Sequence, residues 1–165
     1  MKVIRTRLAE GAGKARGVAV IIDVFRAFTC APFFFHFGAL SVRLEPNTAT
    51  AMALKKEHPD WILAGEENEV PLEGADLSNS PEAILRKGKG FFRGRTVIHR
   101  TTAGVQGAAA AMQVAEEVLL GGFLTARATA GYILERRPDR VTLVAMGSRG
   151  TEPAAEDEAL SLIHI

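Results

Sequence analysis

Residues 17–24, GVAVIIDV, form an almost unbroken run of Val, Ile and Ala that reaches an aspartate near its end. A short β-branched run without polar alternation predicts a strand buried on both faces, as in a parallel sheet. The apolar period then lengthens. Residues 26–38 read as a helix with Gly38 at its C-terminus and a kink expected at Pro32. A second strand is expected at 39–45. Pro46-Asn47-Thr48 opens a helix to about residue 58, with Asn47 or Thr48 as its N-cap. A third short strand, 61–64, ends at Gly65-Glu66.

Residues 67–95 read as loop, interrupted by a short helix at 81–87 for which Pro81 after Ser80 suits the first turn. Beyond it the pattern predicts strand 96–99, helix 105–115, strand 117–123, helix 125–136, strand 141–146 and a helix over 152–161. Strand and helix alternate throughout. This predicts an α/β fold with three layers, α/β/α, around a mostly parallel or mixed central sheet of about six strands. The 165 residues suit a single domain, 1–165. Residues 1–17 are charged and glycine-rich and read as a lead-in. Their GAGKARG lacks the spacing and the Ser or Thr of a phosphate loop, and it precedes the first predicted strand.

Composition narrows the function classes. A formal net charge of +1 supplies no bulk attraction to nucleic acid or an acidic membrane. The apolar stretch at 30–37 is cut by Pro32 and His36 and is too short to span a bilayer. No secretory leader is visible. The single cysteine, Cys30, cannot form an internal disulfide and reads as inert core. A soluble, cytoplasmic protein is expected, without nucleic-acid or membrane partners. The four histidines show no zinc spacing; His58 and His164 read as surface residues and His99 as packed.

The chemistry-bearing residues fall at predicted strand ends, where open α/β sheets bind ligands. In HRTTAGVQG, residues 99–107, a strand passes through small residues into a helix. Free backbone N–H groups there, with the hydroxyls of Thr101 and Thr102 and the charge of Arg100, suit an anion; a plain helix cap at Thr102 accounts for the same residues. Asp23 is a candidate nucleophile, base or metal ligand, and Arg26 a fork for a phosphate or sulfonate, or its ion-pair partner one turn on. The second aspartate that haloacid-dehalogenase phosphatases require is replaced by Phe25. In the long segment 65–81, Glu66, Asp76, Asn79 and Ser80 offer oxygen ligands. Glu156-Asp157 suits either a helix N-terminus or a hard cation.

IDVFRAFT, GE, GADLSNSP, HRTTAGVQG and the later ED, in this order and spacing, resemble the 2-phosphosulfolactate phosphatase family from Val18 to Leu160. The resemblance implies a magnesium-dependent acid phosphatase linked to coenzyme M synthesis, acting on a small phosphorylated acid, with room for a homo-oligomer. Carried across, the family motifs match Asp23, Arg26 and Ala27; Gly65 and Glu66; Asn79, Ser80 and Pro81; Thr101, Thr102 and Gly104; and Glu156 and Asp157. The implied roles are catalytic for Asp23 and Arg26, substrate-binding for Asn79, Ser80, Arg100, Thr101, Thr102 and Gly104, and metal-binding for Glu66, Glu156 and Asp157.

The chain departs from the family pattern at Ala103 and Thr125, where many members have Asn, and at Ala75, where Phe is usual. Family chains are longer, so an incomplete copy of the fold, or a foreign tail over the last few residues, is expected. A non-catalytic binder of a phosphorylated or sulfonated metabolite is the rival reading, and a poorly folding fragment a third. The hydrolytic reading makes a geometric demand: at least three of Asp23, Glu66, Glu156 and Asp157 should converge on one ion.

Overall fold

The computed structural model describes residues 1–163; His164 and the end of the suspected foreign tail lie outside them. The apolar run becomes β2 (Val18–Ile22), buried at every position and paired in parallel with a strand on each side. Those neighbours are β8 (Arg140–Ala145) and β7 (Glu117–Gly121), and β1 (Lys2–Arg7) adds to β8, giving the order β1-β8-β2-β7. The second sheet has the order β3-β6-β4-β5, from β3 (Ser41–Leu44), β4 (Ile62–Glu67), β5 (Val70–Pro71) and β6 (Thr96–Arg100). It is parallel except for β5, which returns antiparallel along the end of β4.

The α/β class and the parallel bias hold, but the strands divide between two four-stranded sheets instead of one sheet of about six. One helix ties the two cores together. α2 (Ala27–His36) sends Ala27, Phe28 and Ala31 into the core under β2 and Cys30 and Phe34 into the core under β4 and β6. It continues through Pro32 to His36, and the remaining intrahelical bonds and two-sided burial hold it. Burial drives the Cys30 thiol up to about 12, which keeps it inert.

Residues 1–17 are not a lead-in. β1 is an edge strand, and α1 (Leu8–Ala12) buries Gly11 and Ala12 in the first core. The segment 67–95 also holds more than one helix: β5 precedes α4 (Pro81–Lys87) and α5 (Lys89–Phe92) follows it. Asn47 caps α3 (Thr48–Glu57) by accepting the Thr50 N–H, and Ser80 caps α4 by accepting that of Ala83. α6 (Gly104–Ala111) follows β6, α7 (Ala126–Arg136) follows β7, and α8 (Ala155–Ile163) closes the described chain. Among the described residues, no helix is long and apolar enough to cross a membrane.

Candidate active site

Parallel pairing aligns the C-terminal ends of β2 and β8 in one sheet and of β4 and β6 in the other, and residues just past these two sets of ends meet in one place. Asp23 stands just past β2. One carboxylate oxygen accepts the Ala27 N–H at 3.2 Å, on the following helix, and the other accepts the Gly104 N–H at 2.7 Å, from the second sheet. Asp157, in the first turn of α8, accepts the Val24 N–H and the Gly147 N–H, each at 2.8 Å. It thereby clamps α8 to the ends of both β2 and β8.

These carboxylates lack compensating charge. Asp23 is 6% exposed and Asp157 3% exposed, and neither forms an ion pair among the described residues. Burial pushes Asp23 up to about 7; the charge of Asp157 adds to the rise, the Ala27 and Gly104 amides oppose it, and Glu66 adds a smaller increment. Burial raises Asp157 too, against the pull of its two amides.

Glu66, near the end of β4, is held as firmly. It accepts the Thr102 N–H at 2.6 Å, the Thr102 hydroxyl at 3.0 Å and the Glu69 N–H at 2.6 Å. Arg100 donates to the Glu66 carbonyl at 2.5 Å and to Glu67 Oε1 at 2.7 Å. The N-cap position of α6 is Ala103, which has no side chain to cap with; the expected Thr102 cap is absent, and the first-turn Val105 N–H is accepted instead by the Thr101 hydroxyl at 3.1 Å. Thr102 also accepts the Asn68 N–H.

The expectation of an open anion cradle at Arg100–Gly104 therefore needs correction. The amides of Thr102, Gly104 and Val105 are occupied by Glu66, Asp23 and Thr101, and the Arg100 guanidinium is committed to the β4 end. Protein carboxylates sit where a ligand anion was expected. Gly104 has a steric reason as well: a Cβ there would lie 2.7 Å from Asp23 Oδ2.

Asp23, Arg26, Glu66, Asn79, Thr102, Glu156 and Asp157 line one cleft of about 420 Å³; Ser80, Arg100, Thr101 and Gly104 stand behind it. Phe25, 71% exposed, and Arg149 add an aromatic rim and a second arginine. An aromatic placed between two candidate site residues, Asp23 and Arg26, was the signal available for Phe25 in the sequence. Asn79 is held by His99, whose Nε2 lies 3.1 Å from its Oδ1. His99 is packed, as expected, and burial lowers its pKa to about 4. His58 is half-buried and stacks on Trp61. Asp76 lies away from the cleft, paired with Lys55 and the Leu63 amide.

The demand for three carboxylates around one ion is not met: among the described residues, no three acidic, imidazole or thiol groups lie close enough to hold a metal together. The reason is local. Asp23, Glu66 and Asp157 are each pinned by a different set of backbone amides: Ala27 and Gly104, Thr102 and Glu69, and Val24 and Gly147. A hydrated magnesium ion needs only one or two carboxylates, since it retains several waters. Asp157, buried without a cationic partner among the described residues and raised by burial, with Glu156 beside it in the same cleft, fits that smaller demand.

Comparison with known proteins bears on this cleft directly. The family model for 2-phosphosulpholactate phosphatase matches residues 4–161, which include every cleft residue named above. The chain belongs to the 2-phosphosulfolactate phosphatase family. Among its relatives, the probable 2-phosphosulfolactate phosphatase of Deinococcus radiodurans is 35% identical over 133 residues, 81% of this chain and 54% of the relative. That of Bacillus subtilis is 36% identical over 116 residues, 70% of this chain and 49% of the relative. That of Thermus thermophilus is 35% identical over 133 residues, with the same coverage as the first. The chain thus spans about half the length of the curated relatives it matches. Of the three departures from the family pattern, only Ala103 lines the cleft; Thr125 closes its own turn through Gly122, and Ala75 packs beside Leu63 and Ile98.

Proposed function

We propose that this chain contributes to magnesium-dependent hydrolysis of a phosphate monoester on a small acidic metabolite, 2-phosphosulfolactate being the candidate that the names of its relatives suggest. The observation that carries the reading is Asp23: a buried carboxyl with a pKa of about 7, in a cleft with four other acidic side chains, Glu66, Glu69, Glu156 and Asp157. A general base works best when its pKa lies near the working pH.

In this reading Arg26, exposed at the cleft wall, meets the phosphoryl oxygens, for which a guanidinium fork is suited. Asp23 accepts a proton from the attacking water, which forms the new P–O bond as the bond to the ester oxygen breaks. The departing hydroxy acid takes up a proton. Burial, reinforced by the charge of Asp157 and to a lesser degree of Glu66, keeps Asp23 basic, while the Ala27 and Gly104 amides fix its orientation. Magnesium, which would be held through Asp157 with Glu66 and Glu156 in the same cleft, would neutralise phosphoryl charge and acidify the water, leaving Asp23 free to take the proton. The accompanying proposals are a cytoplasmic setting, to which the unpaired buried Cys30 is suited, and a small-molecule partner in place of nucleic acid or membrane.

Phosphate release from a panel of phospho-acids, with and without magnesium, tests the reading. Release that needs the metal and favours an acidic substrate supports it. Saturable binding of the same acids without release supports the rival, a non-catalytic metabolite binder.

A further inference from the structure

Asn79 and His99 form a buried pair whose polarity the hydrolytic reading leaves unused. His99 lies on β6 with no exposure, its ring edge-on to Phe34 at 5.2 Å between centroids. Nε2 faces Asn79 Oδ1 at 3.1 Å, and Nδ1 has no partner. Asn79 is 3% exposed, and what it exposes is part of the cleft wall.

The unpartnered nitrogen decides the tautomer. A neutral imidazole carries one N–H. On Nδ1 that proton would be a buried donor without an acceptor; on Nε2 it has Asn79 Oδ1. Orphaned buried donors are rarer than under-used acceptors. Burial keeps the ring neutral at physiological pH, consistent with its pKa of about 4. With the proton on Nε2, the Asn79 oxygen must face His99, because a flipped amide would set its NH2 against the ring N–H. The Asn79 Nδ2 is then left for the cleft, and no protein acceptor takes it among the described residues.

Donors are scarce there. The cleft wall carries Asp23, Glu66, Glu69, Glu156 and Asp157, and the Thr102 hydroxyl is spent on Glu66, so among its neutral side chains only Ser148 shares with Asn79 the capacity to donate to a ligand. A neutral amide donor is what an acidic ligand can use without drawing on the two arginines.

We propose that His99 is a positioning residue: its Nε2–H locks the Asn79 amide with Nδ2 turned into the cleft, where it donates to an anionic oxygen of the bound acid. This rests on the cleft being the ligand site. The oxygen belongs either to the phosphoryl group or to the acid end of the molecule, and two probes separate them.

Long-range proton–nitrogen NMR of the wild-type chain at neutral pH should show His99 as the Nε2–H tautomer. An Nδ1–H tautomer or a protonated ring overturns the proposal. Titration with inorganic phosphate and, separately, with 3-sulfolactate should shift the Asn79 side-chain amide signals with one of the two acids. Silence with both overturns it. Neither measurement needs turnover, so a chain that binds but does not hydrolyse still decides the matter.

With turnover, His99→Leu should raise KM roughly 10- to 100-fold, the worth of one hydrogen bond to a charged group, with a smaller change in kcat. His99→Gln, whose amide can donate to the same oxygen, should recover most of this. Equal loss in both variants, or a loss confined to kcat, assigns His99 to packing and overturns the proposal.

Discussion

The Gly104 N–H donates to Asp23 Oδ2 at 2.7 Å, joining the end of a strand in one sheet to the first residue of a helix that follows a strand of the other. The bond orients the most perturbed carboxyl of the cleft and closes the seam between the sheets.

Gly104→Ala should therefore damage the fold and the site together. The new methyl would lie 2.7 Å from Asp23 Oδ2 and 2.9 Å from the Ala27 Cβ, with both neighbours buried. Overpacking of this kind costs about 1–3 kcal/mol. A lowered melting temperature, with the Gly104 amide signal shifted or lost, is the expected result.

Thr101→Val tests the first-turn bond of α6. The Thr101 hydroxyl accepts the buried Val105 N–H and lies behind the cleft, so the change should cost about 1–3 kcal/mol of stability, the range for leaving a buried donor unsatisfied. Phosphate affinity measured at a temperature where the variant remains folded should be unchanged. Weakened binding in a fully folded variant would return Thr101 to the ligand.

The two buried groups with the largest shifts in the acid-to-neutral range impose opposite pH dependences. Asp23 is raised from 3.8 to about 7, so its proton is held longer in the fold than in the unfolded chain. Its contribution is complete below about pH 4 and lost as pH rises toward 7. His99 is lowered from 6.5 to about 4, so the unfolded chain protonates first and stability is lost as pH falls through that window. The two offset each other between about pH 4 and 6.5. In His99→Gln only the carboxylate part remains, joined by Asp157, whose raised pKa acts with the same sign. Denaturant unfolding of this variant should show stability falling from pH 4 to 7, and magnesium should flatten the fall by favouring ionised Asp23. A variant that gains stability over this range would contradict the assignment.

Much of this was legible in the sequence, for identifiable reasons. β2 announces itself because both its faces are buried and nothing polar interrupts Val18–Ile22. The strand-end positions of Asp23 and Glu66, and the position of Asp157 at the start of the helix after the last strand, followed from strand–helix alternation. β1 was hidden because it is an edge strand: Lys2, Arg5 and Arg7 face outward, and only Ile4 and Thr6 are half-buried. α1 was hidden because Gly11 and Gly13 flank its end and its burial, not helix propensity, secures it. The division into two sheets depends on which edges pair, and runs of similar composition do not encode that. The site was misjudged in one respect. Residue types marked Thr102 and Gly104 as donors for an anion, but the carboxylates their amides meet, Glu66 and Asp23, lie 36 and 81 residues away. A short stretch of sequence cannot say that its anion is already part of the protein.

The central claim is that Asp23 is the proton acceptor of a phosphate-releasing cleft. It is tested most directly by comparing wild type and Asp23→Asn in magnesium-dependent phosphate release from 2-phosphosulfolactate, on samples shown to be folded. The account predicts release by wild type that rises with pH through the ionisation of Asp23, and a loss of roughly 10²- to 10⁴-fold in the variant, the usual worth of a general base. Release by Asp23→Asn at the wild-type rate, with the same pH profile, would contradict it.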